Sequence, residues 1–121
     1  MSFDLAVWEG VRPTSDEAAL AEYLRLMDVY QSGEETEEYF PPTAAIERYV
    51  EALLSRWSDI DDEGGDDSPW ADDPLINNAI GPIIYFSIVW SRADEASAFA
   101  SDLAAQHRLV RFDPQSETLR P

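Results

Sequence analysis

The sequence predicts a single α+β domain, an antiparallel sheet with helices packed against it. Three observations carry that prediction. Residues 83–90, Ile-Ile-Tyr-Phe-Ser-Ile-Val-Trp, are the longest near-continuous apolar, β-branched and aromatic run in the chain, the composition of a strand buried on both sides. Phe3 to Glu9 alternates, with Phe3, Leu5 and Val7 on one face and Asp4, Ala6 and Trp8 on the other, which is strand periodicity. Ile46, Tyr49, Val50, Leu53, Leu54 and Trp57 recur at the spacing of a core-facing helical stripe. A chain of 121 residues is long enough for one core, so 1–121 is expected to be a single domain.

Taken in order, the first strand, Phe3–Val7, ends at the turn 10–13. Thr14 and Glu17 have the spacing of a capping box, and the helix that follows places Leu20, Tyr23, Leu24, Met27 and Tyr30 on one stripe, with Gly33 as its stop. Pro42 bars helix at Pro41, and Thr43 is placed to cap the second helix. The segment 58–74 is an acidic loop with Gly64-Gly65 and no periodicity, and long loops of this kind are usually functional or mobile. A weak strand over Leu75–Ala79 precedes the Gly81-Pro82 turn and the central strand Ile83–Trp90. Ser91 is a candidate cap for a third helix reaching Gln106, with Ala96, Phe99, Ala100, Leu103 and Ala104 inward. A last strand covers Leu109–Phe112, and the tail 115–121 either adds an edge strand or stays loose.

The order is strand, helix, helix, strand, strand, helix, strand. This predicts a ferredoxin-like βα(α)ββαβ plan, a four-stranded antiparallel sheet with the two apolar strands central and helices on one face. The extra helix poses a geometric problem. Packed antiparallel to the first, it ends on the wrong side, and the acidic loop must cross the domain, which at ~3.3 Å per extended residue it can do. Otherwise the first two helices run on in the same sense, broken between Gly33 and Pro42.

Charge is the outlying property. There are 25 acidic residues, 8 arginines and no lysine, for a net charge of −17; lysine-free, alanine-rich composition suits a GC-rich bacterial genome. Twelve of the 25 acids fall in two segments: Glu34, Glu35, Glu37 and Glu38, then Asp59, Asp61, Asp62, Glu63, Asp66, Asp67, Asp72 and Asp73. Direct nucleic-acid binding and anionic membranes are disfavoured for want of a basic face. A basic protein partner is favoured, because opposite charge accelerates encounter. The two acidic segments, with Tyr39 and Trp70 among them, are therefore the expected partner-binding residues. Trp70 has two readings. It tucks into the core and pins the loop, or it is the apolar anchor of the binding surface.

Catalytic signatures are missing. There is no cysteine, hence no disulfide, thiolate or cysteine-based zinc site. No serine sits in a glycine-flanked elbow, and no phosphate loop or dinucleotide fingerprint occurs. Asp59, Asp61, Glu63, Gly64 and Asp67 imitate an EF-hand loop, but position twelve is Trp70 where a bidentate glutamate is needed. Asp4 is the only acid in an apolar stretch, where a general acid would have to be, and strand geometry places it on a sheet face. The single His107 is positioned to cap the third helix. The start has neither the basic nor the apolar region of a signal peptide, and no apolar run approaches the ~20 residues of a membrane helix. A soluble cytoplasmic protein without cofactor or metal is expected.

Several segments together, Ser2-Phe3-Asp4-Leu5-Ala6-Val7-Trp8-Glu9-Gly10, Ser68-Pro69-Trp70, Tyr85-Phe86 and Phe112-Asp113-Pro114-Gln115, resemble a family of small acidic bacterial proteins associated with immunity or antitoxin partners of polymorphic toxins. The resemblance spans most of the chain and assigns no functional residue. It implies a non-enzymatic protein that neutralises a basic partner such as a nuclease-type toxin domain. The alternatives are a small-ligand-binding or regulatory domain of ferredoxin-like form, and an enzyme that holds a metal in the acidic loop.

Overall fold

The computed structural model describes residues 2–31, 40–59, 68–71 and 74–120. Its strands are β1 (Ser2–Trp8), β2 (Ala79–Ile80), β3 (Ile83–Val89), β4 (Val110–Asp113) and β5 (Thr118–Leu119). Its helices are α1 (Asp16–Gln31), α2 (Ala44–Arg56) and α3 (Ala93–Gln106). The strands form one antiparallel sheet in the order β2-β3-β1-β4-β5. β1 and β3 pair along their whole length, from Ser2 opposite Val89 to Trp8 opposite Ile83. The two most apolar strands thus lie side by side at the centre, as their composition predicts. The sheet has five strands where four were expected, because Thr118–Leu119 pairs with Phe112 and Asp113.

The helices do not share a face, which corrects the expectation that they would. Leu5, Val7, Ile84, Phe86 and Ile88 pack with Ile46, Tyr49, Val50 and Leu53 of α2 and Ala96, Ala100 and Ala104 of α3. Ala6, Trp8, Ile83, Val110 and Phe112 pack on the other side with Ala19, Leu26, Leu20, Tyr23 and Met27 of α1. Period-2 strands present alternate residues to opposite faces, and here both sets are apolar, so both faces need a cover. This arrangement also removes the geometric problem of the extra helix. α1 starts beside β5, where the Leu119 N–H donates to Asp16 Oδ1 at 2.9 Å. It ends near the β2–β3 turn, where Tyr30 lies against Gly81. α2 begins at that same turn, with the Thr43 N–H donating to the Gly81 carbonyl at 3.0 Å.

Element ends differ from expectation in instructive ways. Ser15, not Thr14, caps α1, its Oγ accepting from the Ala18 N–H at 3.1 Å. Thr43 caps α2 as predicted. Leu75–Asn78 is a 3₁₀ turn, and only Ala79–Ile80 pairs as strand. The central strand stops at Val89, because Trp90–Arg92 form a second 3₁₀ turn that leads directly into α3; Ser91 supplies no cap. The Gly33 stop lies outside the described residues.

Both edges of the central strand pair are covered in part by short strands and completed by chain that is not regular strand. β2 reaches only Ile83 and Ile84 of β3. Further along the same edge, Val89 N–H donates to Pro69 O at 2.8 Å and Ala71 N–H to Ser87 O at 2.9 Å, with Trp70 bridging Ile88. On the other edge β4 pairs only as far as Ala6 opposite Phe112. Beyond it the Gln115 amide takes over, accepting from the Asp4 N–H and donating to the Asp4 carbonyl. An open ladder edge exposes unpaired donors and acceptors; Pro69, Trp70 and Ala71 on one side and Gln115 on the other reduce that exposure.

Candidate functional site

The expected binding site is two acidic segments, and the structure describes how the chain on either side of them is held. Residues 60–67 run between the end of α2 and the strap 68–71. Asp59 is buried, and its Oδ1 accepts from the Leu75 N–H at 2.8 Å. Trp70 has no exposed surface, and its indole N–H donates to the Trp57 carbonyl at 2.8 Å. The Trp70 ring meets Trp57 and Phe86 edge-on, with centroids 5.9 Å away in both cases, and Trp57 meets Phe99 at 5.4 Å. The guanidinium of Arg56 lies over the Trp57 ring at 4.0 Å. Edge-to-face aromatic packing adds to the burial of such large rings, so both ends of the segment are tied to the core.

The residues that flank 32–39 are held near the start of α2. Tyr30 and Phe40 pack edge-on at 5.1 Å, and the Gly81 N–H donates to the Phe40 carbonyl at 2.9 Å. Gly81 has φ of +55°, and a Cβ there would stand 2.9 Å from the Tyr30 ring. Glycine is needed both for the left-handed backbone and for the close approach.

Of the expected partner-binding residues, Glu34, Glu35, Glu37, Glu38, Tyr39, Asp61, Asp62, Glu63, Asp66, Asp67, Asp72 and Asp73 lie outside the described residues. So do the EF-hand-like positions Asp61, Glu63 and Asp67. Asp59 and Trp70 are described, and both side chains are turned into the fold. Trp70 takes the first of its two readings: it pins the loop, and its ring offers no surface to a partner. Among the described residues no group of three or more His, Asp or Glu is placed to hold a metal ion.

Asp4, the one acid in an apolar stretch, is a hydrogen-bond acceptor within the sheet. Tyr85 Oη and Ser87 Oγ each donate to its carboxylate at 2.6 Å. Burial, and then the bond to Asp4, raise the Tyr85 hydroxyl above the ordinary phenol range. Tyr23, stacked near Tyr85 with centroids 6.3 Å apart, is raised as well, by burial and then by the Asp4 charge. A hydroxyl held in its neutral form serves as a donor here, not as a base. His107 is the residue at the end of α3, as expected; its N–H donates to the Leu103 carbonyl at 3.0 Å and its ring meets Tyr49 edge-on at 6.0 Å.

Two of the hollows on the described surface are large enough to note. One, of about 390 Å³, lies between residues 11–14 and α1, lined by Val11, Arg12, Thr14 and Glu22. The other, of about 230 Å³, runs along the outer flank of α2 and is lined by Pro42, Glu47, Val50, Glu51, Leu54 and Ile76. Sequence reasoning counted Val50 and Leu54 as core and passed over Glu47 and Glu51. The missed signal was two glutamates four residues apart beside the wet edge of an apolar stripe. No helix among the described residues is long and apolar enough to cross a membrane. No family model, curated protein or solved structure matches the chain.

Proposed function

We propose that this chain is a non-enzymatic binding protein that neutralises a basic protein partner, with a nuclease-type toxin domain as the class of partner its chemistry suits best. The reading follows the resemblance to small acidic bacterial proteins associated with toxin immunity, and it assigns the protein to the cytoplasm. The observation that carries it is the concentration of twelve of the 25 acids in two short segments of a chain with net charge −17, whose neighbouring residues are tied to the core by Trp70, Asp59, Phe40 and Gly81. Acids on such segments can occlude the arginines and lysines with which a nuclease grips phosphate. Pinned stems lower the ordering cost of binding. We further infer that β1, α2, β2, β3, α3 and β4 form a ferredoxin-like unit with α1 as an addition on the opposite face; an experimental structure with α1 beside α2 and α3 would contradict it.

The test is recovery of a basic protein from source lysate and culture fluid on the immobilised chain, followed by co-expression of the two. Rescue of growth by the wild-type chain, but not by one carrying Asp61→Asn, Asp62→Asn, Asp66→Asn and Asp67→Asn, supports the proposal. Equal rescue by both, or no basic protein recovered, refutes it. One observation favours a second reading, a small-ligand domain: the hollow at Arg12, about 390 Å³, falls in the about 300–1,000 Å³ range of ligand sites. Retention of a small anion, abolished by Arg12→Ala, would favour that reading.

A further inference from the structure

The outer flank of α2 carries apolar surface that the fold leaves half-covered. Pro42, Val50, Leu54 and Ile76 enclose the apolar hollow of about 230 Å³. Val50 is buried, while Leu54 and Ile76 are only half-buried, so the hollow is wet apolar surface. Glu47 and Glu51 stand exposed one helical turn apart along its edge. Like charges at this spacing disfavour the helix slightly, and among the described residues neither glutamate forms an ion pair.

The described residues that border 32–39 are held near the start of α2, through Phe40 and Gly81, and those that border 60–67 near its end, through Asp59 and Trp70. The hollow's volume lies below that of small-ligand sites and suits one or two aliphatic side chains.

We propose that this flank is a docking groove for a basic amphipathic segment of the partner. Aliphatic side chains fill the hollow between Val50, Leu54 and Ile76, and arginine or lysine side chains on either side pair with Glu47 and Glu51. Arginine is the better fit, since its fork can bond a carboxylate through two N–H groups. The proposal rests on the reading of the chain as a binder of basic proteins and names the surface that gives it apolar contact.

The probe is a synthetic amphipathic peptide of leucine and arginine with its leucines at i and i+4. Controls replace every arginine by glutamate, or every leucine by alanine. Binding is followed by amide chemical shifts of the full-length chain. The proposal predicts perturbation centred on Val50, Glu51, Leu54 and Ile76. It predicts at least tenfold weaker binding with the glutamate or alanine peptide. It predicts the same loss with the doubly substituted Glu47→Gln, Glu51→Gln chain, whose fold is checked by circular dichroism. Perturbation confined to residues 60–67 would overturn the groove and leave the basic-partner reading standing. Equal binding of the glutamate peptide, or a dimer that buries the flank, would overturn the assigned occupant. No binding of the peptide would also overturn the groove, while partner recovery, a separate experiment, decides the broader reading.

Discussion

The described residues 57–59, 68–71 and 74–75, which form the strap and its anchors, lie in the same layer as the outer flank of α2, yet the two use their polar groups in opposite ways. In the strap the described groups are bonded within the chain: Asp59 to the Leu75 N–H, the Trp70 indole to the Trp57 carbonyl, and the Pro69 carbonyl to the Val89 N–H. On the flank, Glu47 and Glu51 have no ion-pair partner among the described residues and border a wet apolar hollow. Residues with the most conspicuous chemistry in the sequence, Asp4, Asp59 and Trp70, belong to the fold. On the proposed reading, recognition falls to carboxylates such as Glu47 and Glu51, which form no ion pair among the described residues.

That contrast breaks most visibly at Trp70. Trp70→Ala removes a fully buried ring and its bond to Trp57, so it should cost ~3–5 kcal/mol in urea denaturation. A loss under ~1 kcal/mol together with weakened partner binding would return Trp70 to the role of surface anchor. Asp59→Ala strands the buried Leu75 N–H and should cost about 2 kcal/mol by the same measurement. Gly81→Ala places a Cβ against the Tyr30 ring in a left-handed backbone and should cost about 1–2 kcal/mol. An unchanged denaturation midpoint would mean that the packing of Tyr30 on Gly81 is looser than described.

The legible part of this fold was the part written in periodicity. β1 beside β3, and the stripe of α2, follow from apolar spacing that burial then requires. The two-faced sheet was also signalled, but not used. Residues 83–90 read as buried on both sides, and Trp8 stood on the face of β1 assigned to Asp4 and Ala6. A large ring on the second face requires a second layer, which α1 supplies. The edge closures were not legible, because Pro69–Ala71 and Gln115 act through single hydrogen bonds that have no period. Nor was the groove, because Val50 and Leu54 look like core whether the neighbouring helix flank is covered or open.

Smaller effects sharpen the comparison. Tyr85 and Tyr49 are both raised above the ordinary phenol range, in each case chiefly by burial. The folded chain therefore holds these protons more tightly than the unfolded chain. Their contribution to stability is complete below the ordinary tyrosine pKa of about 10 and is lost as pH rises beyond it. Tyr85→Phe should flatten that decline in denaturation measured from pH 8 upward; an identical slope would assign the decline elsewhere. Smallest of all, Glu47→Gln with Glu51→Gln should change stability by no more than ~0.5 kcal/mol. A larger loss would show that these glutamates serve the fold after all.

The central proposal is that the acidic segment around residues 60–67 speeds encounter with a basic partner. Its most direct test is the association rate of the recovered basic partner with the wild-type chain and with the chain carrying Asp61→Asn, Asp62→Asn, Asp66→Asn and Asp67→Asn, across a range of ionic strength. The account predicts several-fold slower association for the variant at low salt, converging on wild type as the screening length falls below ~10 Å. Equal rates at every salt concentration would contradict it.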